Sequence, residues 1–115
     1  MENDHRIYHL RDKSYWGPKF WDFLYLTICG FPVTLTHIQK EQFSLILRNF
    51  HVFIPCGECR YHYKLEISNS KLRVDTKEQA FDTVLKLHNK VRRRQNKKPL
   101  TKENVISFHF SQQQQ

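Results

Sequence analysis

In every long segment of this chain, apolar residues return at steps of three and four, the repeat that lines one face of an α-helix. Alternation of the kind a half-buried strand needs never lasts more than a few residues. The spacing predicts five helices. The first runs from about Pro18 to Gly30. Pro18 suits a first helical position, where its missing N–H has no intrahelical partner. Phe20, Trp21, Leu24, Tyr25 and Ile28 share its face, and Gly30 with Pro32 ends it. The second runs from about Ile38 to Phe53, behind a Thr36/Gln39 capping box. Phe43, Ile46, Phe50 and Phe53 form its apolar face, Leu47 widens it, and Pro55 stops it. The third, about Gly57 to Ser68, carries Cys59, His62 and Leu65. The fourth, about Lys77 to Arg94, follows a Thr76/Gln79 capping box and aligns Phe81, Val84, His88 and Val91, with Leu87 beside them. A short fifth, about 102–109, begins behind Thr101. Such a set is expected to pack as an all-α domain, a four-helix bundle plus a short fifth helix.

A chain of 115 residues with 39% hydrophobic and 14% aromatic content can build one real core and is not disordered in composition. Three glycines and four prolines are too few for the turns of a β-sandwich or for a Gly-rich nucleotide loop. No apolar run approaches the roughly 18 residues that span a bilayer. Met1 to Tyr15 is charged and polar, unlike a signal peptide. Residues 1–15 are expected to be an irregular polar lead-in, 16–110 the folded domain, and 111–115 a disordered glutamine-rich tail. Nineteen basic against eleven acidic residues leave a net charge of +8. That charge calls for an anionic partner without choosing among nucleic acid, a phosphate-bearing cofactor and an acidic surface.

Cys56-Gly57-Glu58-Cys59 follows Pro55 at a predicted helix start. The free N–H groups and partial positive charge there stabilise a thiolate, lowering the thiol pKa. Two thiols at this spacing can close a small disulfide and exchange it with another dithiol. The same spacing also serves as half of a zinc site, and Cys29, Cys56, Cys59 and His62 would complete a three-plus-one ligand set. Cys29 lacks paired spacing, which weighs against zinc and reads instead as a buried small hydrophobe. A thioredoxin-like reading lacks its βαβ context.

Lys90, Arg92, Arg93, Arg94, Lys97, Lys98 and Lys102 crowd one stretch. They fit a solvated helix end, a nucleic-acid footprint or a clamp for a dinucleotide pyrophosphate. His88-Asn89 lies one turn upstream, placing a ring and an amide next to cations. Trp16-Gly17-Pro18-Lys19-Phe20-Trp21 is dense in aromatics, with a glycine where a backbone can approach a flat ligand.

In order, Trp16-Gly17-x-x-x-Trp21, Pro55-Cys56-x-x-Cys59 with His62, Leu87-His88-Asn89-x-Val91 and Asn96-Lys97-Lys98-Pro99 resemble the Erv/ALR family of FAD-linked sulfhydryl oxidases. The resemblance covers roughly residues 16–110, and the overall size most resembles the compact single-domain members of large DNA viruses. It implies a helical bundle holding FAD noncovalently, commonly as a homodimer. By position it implies Cys59 as the flavin-proximal thiolate and Cys56 as the interchange thiol. Trp16, Gly17, Lys19, Trp21 and Tyr25 would line the flavin, His88, Asn89, Val91 and Arg92 would meet the adenine side, and Lys97 and Lys98 would neutralise phosphates. His62 would tune the reactive pair.

The sequence departs from the family pattern in places. Tyr25 stands where many members carry His, Arg92 where many carry a second Asn, and Thr83 near the place of a common Trp. A distal shuttle C-x-x-C is absent, so electrons are expected directly from the dithiol of a thioredoxin-like or client protein, with oxygen as acceptor. Neither nucleic acid nor a membrane span is expected. The expected compartment is cytoplasmic, in a host cell or virion if viral, with the mitochondrial intermembrane space of some relatives left open. The competing readings are a zinc-stabilised helical module and a basic nucleic-acid-binding domain.

Overall fold

The computed structural model describes residues 4–114. Six α-helices and one 3₁₀ turn follow in order: α1 His5–His9, α2 Lys13–Cys29, α3 His37–Asn49, the 3₁₀ turn Phe50–Phe53, α4 Gly57–Ser68, α5 Lys77–Arg94 and α6 Lys102–Gln113. Among the described residues there is no strand, only one antiparallel bridge between Thr34 and Thr76. The all-α bundle expected from the spacing is therefore the fold, with the five expected helices as α2 to α6.

The stretch 4–15 is not an irregular lead-in. Asp4 caps α1 by accepting from the Arg6 N–H, and Asp12 caps α2 by accepting from the Ser14 N–H. The second cap starts α2 well before Pro18, which therefore sits inside the helix. A proline ring clashes with the Cβ of the residue before it in helical geometry, a conflict that Gly17 removes, while Pro18 still leaves the Ser14 carbonyl without its helical N–H partner. At the other end, α6 continues through Ser111 to Gln113, into the stretch expected as a tail. Residues 1–3 and 115 of those two stretches lie outside the described residues.

The core is drawn from five helices, α2 to α5 and, through Val105, α6. Leu24, Tyr25 and Ile28 of α2 meet Leu47 of α3, Tyr63 and Ile67 of α4, and Val84 and Leu87 of α5. Burying each large aliphatic side chain contributes roughly 1.5–3 kcal/mol. The polar atoms taken inside are paired. The Tyr63 hydroxyl donates to the Leu47 carbonyl at 2.6 Å, and Thr83 Oγ1 donates to the Arg73 carbonyl at 2.7 Å. The expected α3 face holds at Phe43 and Leu47 but not at Ile46 and Phe53, which are 47% and 76% exposed. Phe53 is lost to the change of winding at Phe50, where the chain tightens into a 3₁₀ turn and the helical register shifts. Ile46 lies before that change, one residue and about 100° from the fully buried Leu47, and so turns outward. The Thr36/Gln39 box forms as expected, whereas Gln79 reaches past Thr76 to accept from the Asp75 N–H. Cys29, expected to be buried, is exposed at the end of α2.

Two devices fix the turn between α5 and α6. Asn96 adopts φ +58°, the left-handed conformation that ends a helix. The N–H of Lys97 then returns to the Arg92 carbonyl at 2.9 Å, and that of Asn96 to Arg93 at 3.0 Å. Asn89 grips the far side of the turn, donating to the Leu100 carbonyl at 2.9 Å and accepting from the Leu100 N–H at 2.8 Å.

Candidate active site

Cys56 is the N-cap of α4, and its Sγ accepts from the Cys59 N–H at 3.3 Å. That capping geometry is what a thiolate wants. The Cys56 thiol is held below the ordinary range, first by a hydrogen bond from the Cys59 side chain and further by the N–H groups of Cys59 and Glu58. Cys59 moves the other way, to about 11, chiefly because burial penalises its charged form. The expectation of a lowered pKa at this helix start is therefore met by Cys56 and not by Cys59. The two cysteines also line different spaces, Cys59 a cleft shared with α2 and α5, Cys56 a groove that has only Lys13 in common with that cleft.

The cleft has a narrow inner part of about 80 Å³ and an outer part of about 620 Å³. The two parts share Lys13, Gly17, Trp21, Val91 and Gln95 as walls. Trp16, Gly17 and Trp21 face Cys59 and His62 across the inner part. The outer part adds Tyr25, His88, Arg92, Lys97 and Lys98. Its volume lies in the usual range for small-molecule and cofactor sites.

The aromatic groups are ordered by one another. The His88 ring lies on Trp21 with centroids 4.2 Å apart and planes 12° from parallel, and its Nδ1 shares a hydrogen bond with the Tyr25 hydroxyl at 3.0 Å. Burial, then the charges of Arg92 and Lys97, hold the imidazole pKa down to about 4, so the ring is neutral at ordinary pH. Burial likewise pushes the Tyr25 hydroxyl upward, so it keeps its proton.

Two of the expected residues stand apart from the cleft. The Asn89 amide holds Leu100 and does not line the cleft, and the Lys19 ammonium rests over the Tyr15 ring at 4.3 Å. Arg92 lines the cleft, but its Nε donates to the Lys98 carbonyl at 2.7 Å, so it also shapes the basic turn. Sequence reasoning missed Lys13, which lines both parts of the cleft, and the α6 wall of Val105, Phe108 and His109. His109 stands 3.4 Å from Asp22 of α2, closing that side. Its spacing of four from Val105 behind the Thr101 cap was the available signal.

The residues fit a flavin dinucleotide. A Cβ built on Gly17 would meet no protein atom within 4 Å and would occupy open space beside the cleft. Aromatic faces stand near a thiol at one end, and Arg92, Lys97 and Lys98 supply positive charge for phosphates at the other. A zinc set is not assembled: among the described residues no three His, Cys, Asp or Glu side chains are grouped to hold a metal.

Residues 18–114 match the Erv1 / Alr family. Over 84 residues the chain is 32% identical to an FAD-linked sulfhydryl oxidase of African swine fever virus, covering 73% of this chain and 71% of that protein. Its fold is similar to the crystal structure of the yeast Erv1 core, with a TM-score of 0.72 and 24% identity over 77% of this chain and 75% of that one. It is similar also to a double cysteine-to-serine mutant of Erv1 from Saccharomyces cerevisiae, with a TM-score of 0.73 and 22% identity over 78% of this chain and 59% of that one. At such identity the structural likeness carries the fold. The sequence match, running from α2 through α6 and across both cysteines of the C-x-x-C, carries descent, and by it this chain belongs to the Erv1 / Alr family.

Proposed function

We propose that this protein is an FAD-dependent sulfhydryl oxidase that makes disulfides in partner dithiols. The observation that carries the reading is the placement of Cys59, one half of a C-x-x-C, in the same cleft as Gly17, Trp21 and His88, with Arg92, Lys97 and Lys98 at its far end. When bound, FAD supplies a two-electron acceptor for the dithiol and hands the electrons to oxygen, giving hydrogen peroxide.

The chain's own residues do the rest. In the oxidised enzyme Cys56 and Cys59 are joined, and a partner thiolate attacks Cys56 Sγ. The Cys56–Cys59 bond breaks and a bond from the partner to Cys56 forms. The partner's second thiolate then attacks the partner's own sulfur and expels Cys56. Two electrons and two protons pass from the partner to the Cys56/Cys59 pair. A low thiol pKa makes Cys56 the better leaving group in the second step. Trp16, Gly17 and Trp21 shape the ring end of the cleft, neutral His88 and Tyr25 the middle, and Lys97 and Lys98 the phosphate end. His62 borders Cys59 on the inner wall.

The protein works as a homodimer on a thioredoxin-like or client dithiol, taken directly because only Cys29 remains outside the pair. Its compartment is the cytoplasm of an infected cell or the virion, in keeping with the viral relatives. No helix among the described residues is long and apolar enough to cross a membrane.

The first test is the visible spectrum of purified protein. Flavin bands, with about one FAD per chain released by heat, are expected. Colourless protein that also refuses added FAD would overturn the proposal, as would wild-type dithiol oxidation by either Cys56→Ser or Cys59→Ser.

A further inference from the structure

The second space at the C-x-x-C is a groove of about 570 Å³. One wall is Pro55, Cys56 and Gly57, and the other is the end of α1 and the turn into α2: Tyr8, His9, Arg11, Asp12 and Lys13. Cys59 does not line it. We infer that this groove docks the reducing partner, and that the α1 wall recognises a segment with acidic side chains beside its reactive cysteine. The inference rests on the oxidase reading above and names the partner's chemistry.

Three observations carry it. First, Cys56, the sulfur a partner must reach, stands in this groove and not in the cleft, so partner and cofactor approach from different sides. Second, the wall is anchored. Trp16 Nε1 donates to the Arg11 carbonyl at 2.8 Å, tying the turn to the helix that shapes the cleft. A wall held in place costs a partner less ordering than a loose one. Third, the groove is net positive. Its single carboxylate, Asp12, keeps its charge but is turned to the α2 cap, accepting from the Ser14 N–H at 2.9 Å and the Ser14 hydroxyl at 2.7 Å. Arg11 and Lys13 outweigh it, and the Arg11 guanidinium, held over the Tyr8 ring at 5.2 Å, is the cation that belongs to this groove and not to the cleft. Acidic neighbours raise a cysteine's pKa and slow its attack, and cations in the groove offset that cost at contact.

The test uses the FAD-loaded full chain and three dithiols: dithiothreitol, a C-x-x-C peptide flanked by Asp and Glu, and the same peptide flanked by Lys and Arg. Wild-type kcat/KM should favour the acidic peptide by about tenfold at low salt, and the preference should shrink as salt rises. Arg11→Gln should shrink the preference severalfold, Tyr8→Ala should weaken it, and both should leave dithiothreitol oxidation and the flavin spectrum unchanged. Oxidation of dithiothreitol with no discrimination between the peptides would overturn the docking inference alone. Equal slowing of all three substrates by Arg11→Gln would also overturn it. A wild-type protein inert toward dithiothreitol would overturn the oxidase reading and this inference with it.

Discussion

The Tyr25 hydroxyl and His88 Nδ1 stand 3.0 Å apart, joining α2 to α5 in the wall of the cleft. The family pattern often carries a histidine at the first of these positions. Here a phenol serves, and with Trp21 stacked on the imidazole it fixes the ring in place. A buried imidazole so placed resists protonation, and pH is the direct probe of it.

His88 takes a proton at about 4 when folded, against an ordinary value of 6.5. Between those pH values the unfolded chain binds more protons than the folded one, so stability falls as pH drops through that window. The loss attributable to this group is on the order of 3 kcal/mol and is complete below about pH 4. Urea unfolding across the range should show it, and His88→Gln should flatten the slope. A slope unchanged by that substitution would contradict the assignment.

The two thiols should react in a fixed order. In reduced, cofactor-free protein, iodoacetamide should modify Cys56 first, with a midpoint below the ordinary thiol value, while Cys59 should respond only as pH approaches about 11. Mass spectrometry of partly alkylated protein reads this directly. Equal rates at the two positions would count against the capping geometry.

Because Cys56 caps α4, its substitutions should separate chemistry from stability. Cys56→Ser removes the sulfur that the partner attacks yet keeps a preferred cap, so dithiol oxidation should vanish while unfolding free energy holds or rises slightly. Cys56→Ala should lose the same activity and about 0.5–1 kcal/mol as well. Denaturant titration of the pair checks this, and identical stabilities would dispose of the cap.

Asn89→Ala should free Leu100 and loosen the turn that carries Lys97 and Lys98. Stability should fall by about 1–3 kcal/mol, because both backbone groups of Leu100 lose their partner. FAD affinity should weaken too, although the amide does not line the cleft. Asn89→Asp, which keeps only the acceptor, should lie between. Equilibrium dialysis with FAD supplies the second readout.

Gly17→Ala should leave the fold within about 1 kcal/mol while weakening FAD binding. The better helix propensity of alanine is offset by its position before Pro18, and the added methyl enters open space at the cleft. Unfolding curves and FAD titration together separate the two effects.

Much of this was legible in the sequence because it depends on periodicity. Trp21 and Tyr25 lie one turn apart, as do His88 and Arg92, so helical spacing alone placed them in register. What was missed depends on local chemistry or on long-range closure. Pro18 read as a helix start because Asp12, with Ser14 two residues on, is a quieter cap signal than a proline. Cys29 follows Ile28 by a single residue, about 100° around the helix, and so turns away from the core that Ile28 enters. The role of Asn89 needed the position of Leu100, which no spacing within α5 reveals. The α6 wall needed the pairing of His109 with Asp22, which lies near the other end of the chain.

The first turn of α4 puts Cys56 in the wall of the groove and Cys59 in the wall of the cleft, with their side chains in contact. On the docking inference above it is a septum: reducing equivalents cross it, and the molecules that donate and receive them do not meet. The partner-facing side can be rebuilt for a new client without disturbing the dinucleotide side. The bulkiest partner need present only one sulfur at the rim, because the pair relays what it delivers.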